Sequence, residues 1–417
     1  MVTRCNAAVR ALTFVAVVAT SQGSARAEEL TLEEALARAD KDNPELAIGA
    51  ADVDLARGQL TTARTVPYNP ELGVQVGPAF GGGSTTLDFE VSLRQPIELG
   101  GKRAERVRAA SARGDAASLR LEWTRQVVAM RVRRAFFLAV VARERVAAGR
   151  DGEAVAAEVA TASNERLRLG AGTQLEVNVA AAGLGRARAQ RSAAERAYAQ
   201  ALIDLAAALG APVGSRLEPA GTLPDLVGAS LGTSEDALVA RALAERPDLA
   251  ATRRDVAAAD ADLALARSLR LPDAALGVSY RHSGVEDADT VLFGVTIALP
   301  VWNRGQGARA SARAGAQRAA IVDRAARREA ERAARAAYAS YRLARDSVQS
   351  FDRDVIGKLG DNLALARASY ASGKIGLVEF NLARRELIET RFAYLDALVE
   401  LVEARYALEL ALGGVIP

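Results

Sequence analysis

The sequence holds one cysteine, Cys5, and one histidine, His282, among 417 residues. That scarcity excludes a zinc, copper or iron–sulfur centre made of ordinary protein ligands, and it excludes a disulfide within one chain. Aromatic residues make up only 5% of the chain. So few large rings do not suit a broad compact core; they suit long helices packed on small residues. Beyond the N-terminus no stretch approaches ~18 consecutive apolar residues, so any membrane insertion must use strands or an interfacial helix. Nucleophile elbows, phosphate loops and metal motifs are missing too, and the glycine run at 81–83 merely separates two strand-like stretches. No catalytic residue, cofactor or bound metal is therefore expected. Half the residues are hydrophobic, which argues against wholesale disorder.

Residues 1–27 have the layout of a secretory signal peptide. Arg4 and Arg10 form a positive start, Ala11 to Ala19 a short apolar stretch, and Ala25-Arg26-Ala27 a cleavage site. Cleavage before Glu28 would remove three arginines and no acidic residue, leaving 51 basic side chains against 51 acidic. The balanced mature charge gives no reason to expect nucleic acid as a partner. Cys5 lies ahead of the apolar stretch, so it is not placed as a lipidated residue at a cleavage point.

Self-comparison shows one unit written twice. Thr31-Leu32-Glu33-Glu34-Ala35-Leu36 returns as Thr233-Ser234-Glu235-Asp236-Ala237-Leu238, and Pro44-Glu45-Leu46 returns as Pro247-Asp248-Leu249. Pro70 matches Pro272, Pro96 matches Pro300, Gly170 matches Gly373, Glu176 matches Glu379, and Leu209-Gly210 matches Leu412-Gly413. The units are 28–209 and 233–417, joined by a Pro- and Gly-containing linker at 210–232. Each opens with a helix at a capping box, Thr31 with Glu34 and Thr233 with Asp236, running to about 65 and about 270. Two short β segments follow. Then come proline-free helical stretches at about 102–168 and 303–371, a glycine turn, and a last helix. A helix of ~67 residues would reach ~100 Å, beyond any ordinary core helix, so coiled-coil support is expected. Ile388, Phe392, Leu395, Val399, Val402 and Tyr406 show the required spacing in the last helix.

The β segments alternate. Leu87, Phe89, Val91 and Leu93 are interleaved with Asp88, Glu90, Ser92 and Arg94; Val291, Phe293, Val295 and Ile297 are interleaved with Leu292, Gly294 and Thr296. Leu72, Val74, Val76 and Leu276, Val278, Tyr280 repeat the pattern. Such strands either pack one face on the helices of a soluble protein or turn it to lipid. Four strands cannot close a barrel, and an open edge in lipid leaves backbone groups unpaired at several kcal/mol each. In a membrane, two, three or four chains would have to contribute, and a conduit needs at least three. The first set of eight apolar residues named above would then face lipid, and Asp88, Glu90, Ser92 and Arg94 would face water.

An exported, twice-written chain with this order of elements resembles the outer-membrane efflux protein (TolC) family over nearly all its mature length. The string Gln95-Pro96-Ile97-Glu98-Leu99-Gly100-Gly101-Lys102-Arg103 looks like the strand-to-helix junction of the heavy-metal branch, the CzcC-like proteins. There Pro96 would end ladder donation and the glycines would redirect the chain. Leu299-Pro300-Val301-Trp302-Asn303-Arg304-Gly305 makes the matching turn, with Trp302 placed for a membrane interface. The resemblance implies a mostly α protein with a small membrane β portion. Two pseudo-repeats would give long coiled-coil helices and four strands per chain, and a homotrimer would build a 12-stranded β-barrel and a periplasmic α-helical tunnel. It implies the outer membrane of a Gram-negative bacterium as location. It also implies a periplasmic adaptor and an inner-membrane pump of the resistance–nodulation–division (RND) class as partners, with passive conduction of cargo, heavy-metal cations first.

The resemblance likewise assigns the adaptor-contact tips, Gly170, Gly172 and Thr173 in the first turn and Gly373, Gly376 and Leu377 in the second. Gly170 and Gly373 are equally well read as helix C-caps. Glu379 matches the first of two acidic constriction positions in the family; the second is the apolar Leu382. Glu379 also fits a carboxylate favoured by a helix N-terminus. The same duct would serve a drug-efflux or type I secretion system, and an exported coiled-coil structural protein is the competing class. His282 is expected to be exposed in the loop between strands.

Overall fold

In the computed structural model the described residues are 28–416 other than 82, 213, 216, 222–233 and 352. The expected leader and Thr233 lie outside them. The first repeat begins with β1 (Glu28–Leu30), then α1 (Leu32–Asp42) behind the expected capping box: Thr31 accepts from the Glu34 N–H, and the Glu34 carboxylate accepts from the Thr31 N–H at 2.9 Å. The helix expected to run to about 65 is interrupted. Asn43 is extended, and α2 (Pro44–Arg64) starts afresh with Pro44 in its first turn. Proline clashes with a preceding helical turn, so the break belongs where the sequence puts Asn-Pro. The Asn43 side chain accepts from the Glu45 N–H at 2.8 Å and donates to the Ala208 carbonyl at 3.0 Å.

β2 (Glu71–Gly81) and β3 (Ser84–Ile97) form a hairpin, α3 (Lys102–Arg168) is an unbroken 67-residue helix, and α4 (Gln174–Leu209) returns along it. The following segment is more than a linker: β4 (Leu217–Pro219) pairs in parallel with β1, tying it to the start of the first repeat. Three-residue strands carry too little alternation to be read from sequence.

The second repeat supplies α5 (Glu235–Glu245), α6 (Pro247–Ser268), β5 (Ala274–Ser283), β6 (Ala288–Ile297), α7 (Gln306–Ser350), α8 (Arg353–Ala371) and α9 (Leu377–Leu412). Ser234 caps α5 by accepting from the Ala237 N–H; the expected Thr233–Asp236 box involves a residue outside the described ones. The expected continuous helix to about 270 breaks before Pro247, as its counterpart does before Pro44. The stretch expected to be one helix from 303 to 371 also breaks, at the extended residue Phe351, whose ring meets Tyr394 edge-on at 5.6 Å. Between its equivalent glycines, Gly305 and Gly373, this wall is one residue shorter than the stretch from Gly101 to Gly170. A missing residue turns the rest of a continuous helix by about 100°, and the non-helical joint at Phe351 falls within this shorter stretch.

The strands form one antiparallel sheet in the order β2-β3-β5-β6. The helices nearest the sheet follow the parallel order α2-α3-α6-α7, and at the far end α4 and α9 lie on α3 with α8 beside α9. The core is thin, drawn out along the helices and built on small residues. Leu30, Val132 and Leu205 bury one section, Val141, Leu401 and Leu408 the next, and Val155, Val159 and Phe380 the section at the far tips.

Candidate functional site

Directly paired residues in an antiparallel sheet share a face. Val74, Val91, Tyr280 and Val291 form one rung; Leu72, Leu93, Val278 and Phe293 form the next. Gln95, Leu276 and Val295 follow, then Ile97, Ala274 and Ile297; Phe89 stands opposite Val76 and His282. All eight residues singled out on β3 and β6, Leu87, Phe89, Val91, Leu93, Val291, Phe293, Val295 and Ile297, therefore lie on one apolar face. Among the described residues it carries no covering layer: Phe293 is 85% exposed, and Leu72, Phe80, Leu87 and Val295 are also exposed.

The opposite face is polar, and both of its arginines are paired with carboxylates. Arg94 pairs with Glu71, and the Arg281 guanidinium donates to Glu90 at 2.6 Å. Asp88 accepts from the Gly284 N–H at 2.8 Å, which fastens the β5 end to β3. Gly73, Gly77, Gly277 and Gly294 keep this face low. His282 differs from expectation: it belongs to β5, lies half-buried, meets Asp289 at 2.9 Å through Nδ1 and packs against Phe89. A short cross-strand acceptor and an adjacent ring hold it in place.

Below the sheet, both chain reversals into long helices use a left-handed glycine as helix N-cap, Gly101 at φ +71° and Gly305 at φ +71°. Pro96 does not end the ladder: Pro96 and Ile97 remain paired with Ala275 and Ala274. Proline loses its N–H, but its carbonyl and the following residue still pair. Lys102, expected merely to start a helix, is buried; its ammonium donates to Asp273 at 2.7 Å and to the Leu271 carbonyl at 2.7 Å. Asp273 also accepts from the Leu99 N–H and the Tyr68 hydroxyl. Burial pushes the Asp273 carboxyl up, but Lys102, Leu99 and Tyr68 together hold it below its ordinary value of 3.8. Arg106 and Glu98 form a two-pronged pair beside it, at 2.5 and 3.1 Å. This cluster was hidden from sequence reading because its partners sit in different repeats. Trp302 is 88% exposed on the loop after β6.

At the far end, α3 closes on Gly170 at φ +72° and α8 runs into Gly373 at φ +74°. In each tip the glycine N–H and the next N–H satisfy late helix carbonyls: Gly170 and Ala171 on Leu167 and Arg166, Gly373 and Lys374 on Tyr370 and Ser369. A left-handed residue ending a helix strains any side chain with a Cβ, so both glycines have a structural task. The restarts differ. Thr173 opens α4 with a full capping box to Glu176, whereas Gly376 opens α9 with no side-chain cap. Glu379 sits in that first turn beside Gly376, exposed and without an ion pair among the described residues. Phe380 behind it is buried and stacks on Tyr370 at 5.1 Å. Leu377 is half-buried, while Val378 and Leu382 are exposed.

A cleft of about 570 Å³ separates α4 from α9 above Gly149 and Gly152 of α3. Arg384 reaches across it toward Gly183, and burial together with nearby Arg186 lowers its guanidinium below the ordinary range. Among the described residues no cluster of His, Cys, Asp and Glu could hold a metal ion, and no helix is long and apolar enough to cross a membrane.

The profile of the family described as "Outer membrane efflux protein" matches residues 12–211 and 238–414. The chain is similar to the cobalt-zinc-cadmium resistance protein CzcC of Cupriavidus metallidurans, at 27% identity over 387 residues, 92% of this chain and 90% of that protein. Among solved structures, it superposes on CusC, described with its transmembrane channel formation, with TM-score 0.74 at 20% identity, covering 92% of each chain. It also superposes on the open state of the MtrE outer membrane channel of Neisseria gonorrhoeae, with TM-score 0.71 at 19% identity, covering 92% of this chain and 89% of that one.

Proposed function

The chain belongs to the outer membrane efflux protein family, and from that membership we propose that three copies close a 12-stranded barrel in the outer membrane and continue it as a helical tunnel into the periplasm. The observation that carries this reading is the uncovered apolar face of a four-stranded sheet with two free edges, β2 and β6. Lipid satisfies the face and a neighbouring copy satisfies each edge. Arg94, Glu71, Arg281, Glu90 and Asp88 then line the water-filled side.

Residues 1–27 act as a leader, and the repeats 28–209 and 233–417 flank the segment 210–232. The tips carrying Gly170, Gly172 and Thr173 and carrying Gly373, Gly376 and Leu377 meet a periplasmic adaptor, which couples the duct to an inner-membrane RND pump. No bond is made or broken in the duct itself; the driving energy belongs to the pump. Three copies of Glu379 around one axis repel each other and attract cations, which makes this carboxylate the constriction candidate.

Likeness to CzcC supports heavy-metal cations as cargo. A wide duct does not need to chelate what it passes. Deleting the gene in its host tests the cargo: tolerance to cobalt, zinc and cadmium falls while drug tolerance and protein secretion are unchanged. A drug-sensitive or secretion-defective strain with normal metal tolerance assigns the duct to one of those systems. Current recording of the purified protein in a planar bilayer tests the duct itself, since a protein giving no steps of conductance is not one.

A further inference from the structure

The two repeats allow the seam between copies to be read from a seam inside one copy. Within the chain α6 lies between α3 and α7. Its α3 side presents Asp255 and Asp262, which pair with Arg120 and Arg113. Ala251 and Ala258, one turn away on the same stripe, are 1% and 3% exposed.

The equivalent helix of the first repeat is α2, which starts at Pro44 as α6 starts at Pro247. Counting from those prolines, Ala251, Asp255 and Ala258 correspond to Ile48, Asp52 and Leu55. On α2 this stripe is bare among the described residues: Ile48 and Leu55 are each 62% exposed, and Asp52 is exposed with no ion pair or hydrogen bond to any of them. The opposite stripe of α2, Leu46, Val53, Ala56 and Ala63, is buried. One repeat element is thus covered on both sides and its equivalent on one.

The missing cover corresponds to α3. Its equivalent is α7, whose N-cap Gly305 stands where Gly101 stands. Counting from those glycines, Arg120 corresponds to Arg324. Arg324 is exposed and also unpaired among the described residues. Ile321 and Val322 beside it are exposed as well. Helix α7 carries ten arginines against four acidic residues, and it is the outermost helix on the side away from α2. The sheet has the same edges, β2 and β6.

We infer that α7 of one copy docks on α2 of the next, with Arg324 paired to Asp52 and Ile321 and Val322 covering Ile48 and Leu55, as a repeat of the α3–α6 seam. This rests on the trimeric reading above and gives it a register. The test places cysteines at both positions (Asp52→Cys with Arg324→Cys, and Cys5→Ser) and treats outer membranes with a short bismaleimide. The double variant gives crosslinked dimers and trimers on a denaturing gel, and each single variant gives monomer. Charge reversal is the second arm. Asp52→Arg and Arg324→Asp each lose heat-resistant trimer, and the combined swap regains it. A double-cysteine protein that light scattering shows to be a trimer in detergent, yet gives only monomer on the denaturing gel, overturns the seam and leaves the trimer standing. A wild-type protein that is monomeric in detergent overturns both.

Discussion

The sheet and the helical body solve opposite problems with the same kind of side chain. In the helices, leucines such as Leu401 and Leu408 are fully buried, and alanines let the backbones approach. In the sheet, Leu72, Phe80, Phe293 and Val295 stand exposed, uncovered by any other described residue. Large exposed apolar patches mark a surface meant for a partner or for lipid. The helical body holds a core of its own and leaves apolar side chains bare only in places, such as the outer flanks of α2 and α7; the apolar face of the sheet is finished only by its surroundings, which on the reading above are lipid, with water on the other face.

The sharpest way to break that contrast is to charge one face and then the other. Val295→Arg on the apolar face costs about 2–4 kcal/mol at mid-membrane and removes trimer from the outer membrane, whereas Thr296→Arg on the opposite face leaves the yield unchanged. Equal yields, read by immunoblot of membrane fractions, would abolish the facing. Within the helical body, Leu401→Ala lowers stability by about 2–5 kcal/mol, and Leu343→Ala, on an exposed position, by no more than about 0.5 kcal/mol. Thermal melts in detergent check the ordering.

The junction between the two regions supplies a pH test. The Asp273 carboxyl is held below its ordinary 3.8 in the folded protein. Its stabilising contribution is therefore complete above that value and is lost as pH falls through the lower folded value. Asp273→Asn, melted between pH 6 and 3, is less stable than wild type at pH 6 and loses less on acidification. Parallel melting curves would detach Asp273 from the junction's stability. The smallest effect belongs to Glu379→Gln, which weakens cation block of single-channel current several-fold; unchanged block takes Glu379 out of the constriction.

Much of the architecture was legible because it repeats. Alternation marked all four long strands, and the register of prolines and glycines gave the order of elements twice over. The helix breaks at Asn43 and Arg246 had a signal in the prolines that follow them, and a long apolar periodicity masked it. The break at Phe351 had none beyond a repeat one residue short. The Lys102–Asp273 pair was beyond reach, since 171 residues separate two charges that look solvated one at a time. Gly170 and Gly373 were legible as helix ends through their handedness alone; Arg384 and Arg186 were not, because two arginines from different repeats meet only when α4 and α9 flank one cleft.

The free margins of β2 and β6 have a cost before assembly. A newly exported chain offers two rows of unsatisfied amide and carbonyl groups beside an oily surface, which is the recipe for indiscriminate strand addition. On the trimeric reading the chain must therefore be escorted, or must find two siblings faster than it finds strangers. Overproduction would overwhelm that arrangement first at the hairpins, long before the helices lose their fold.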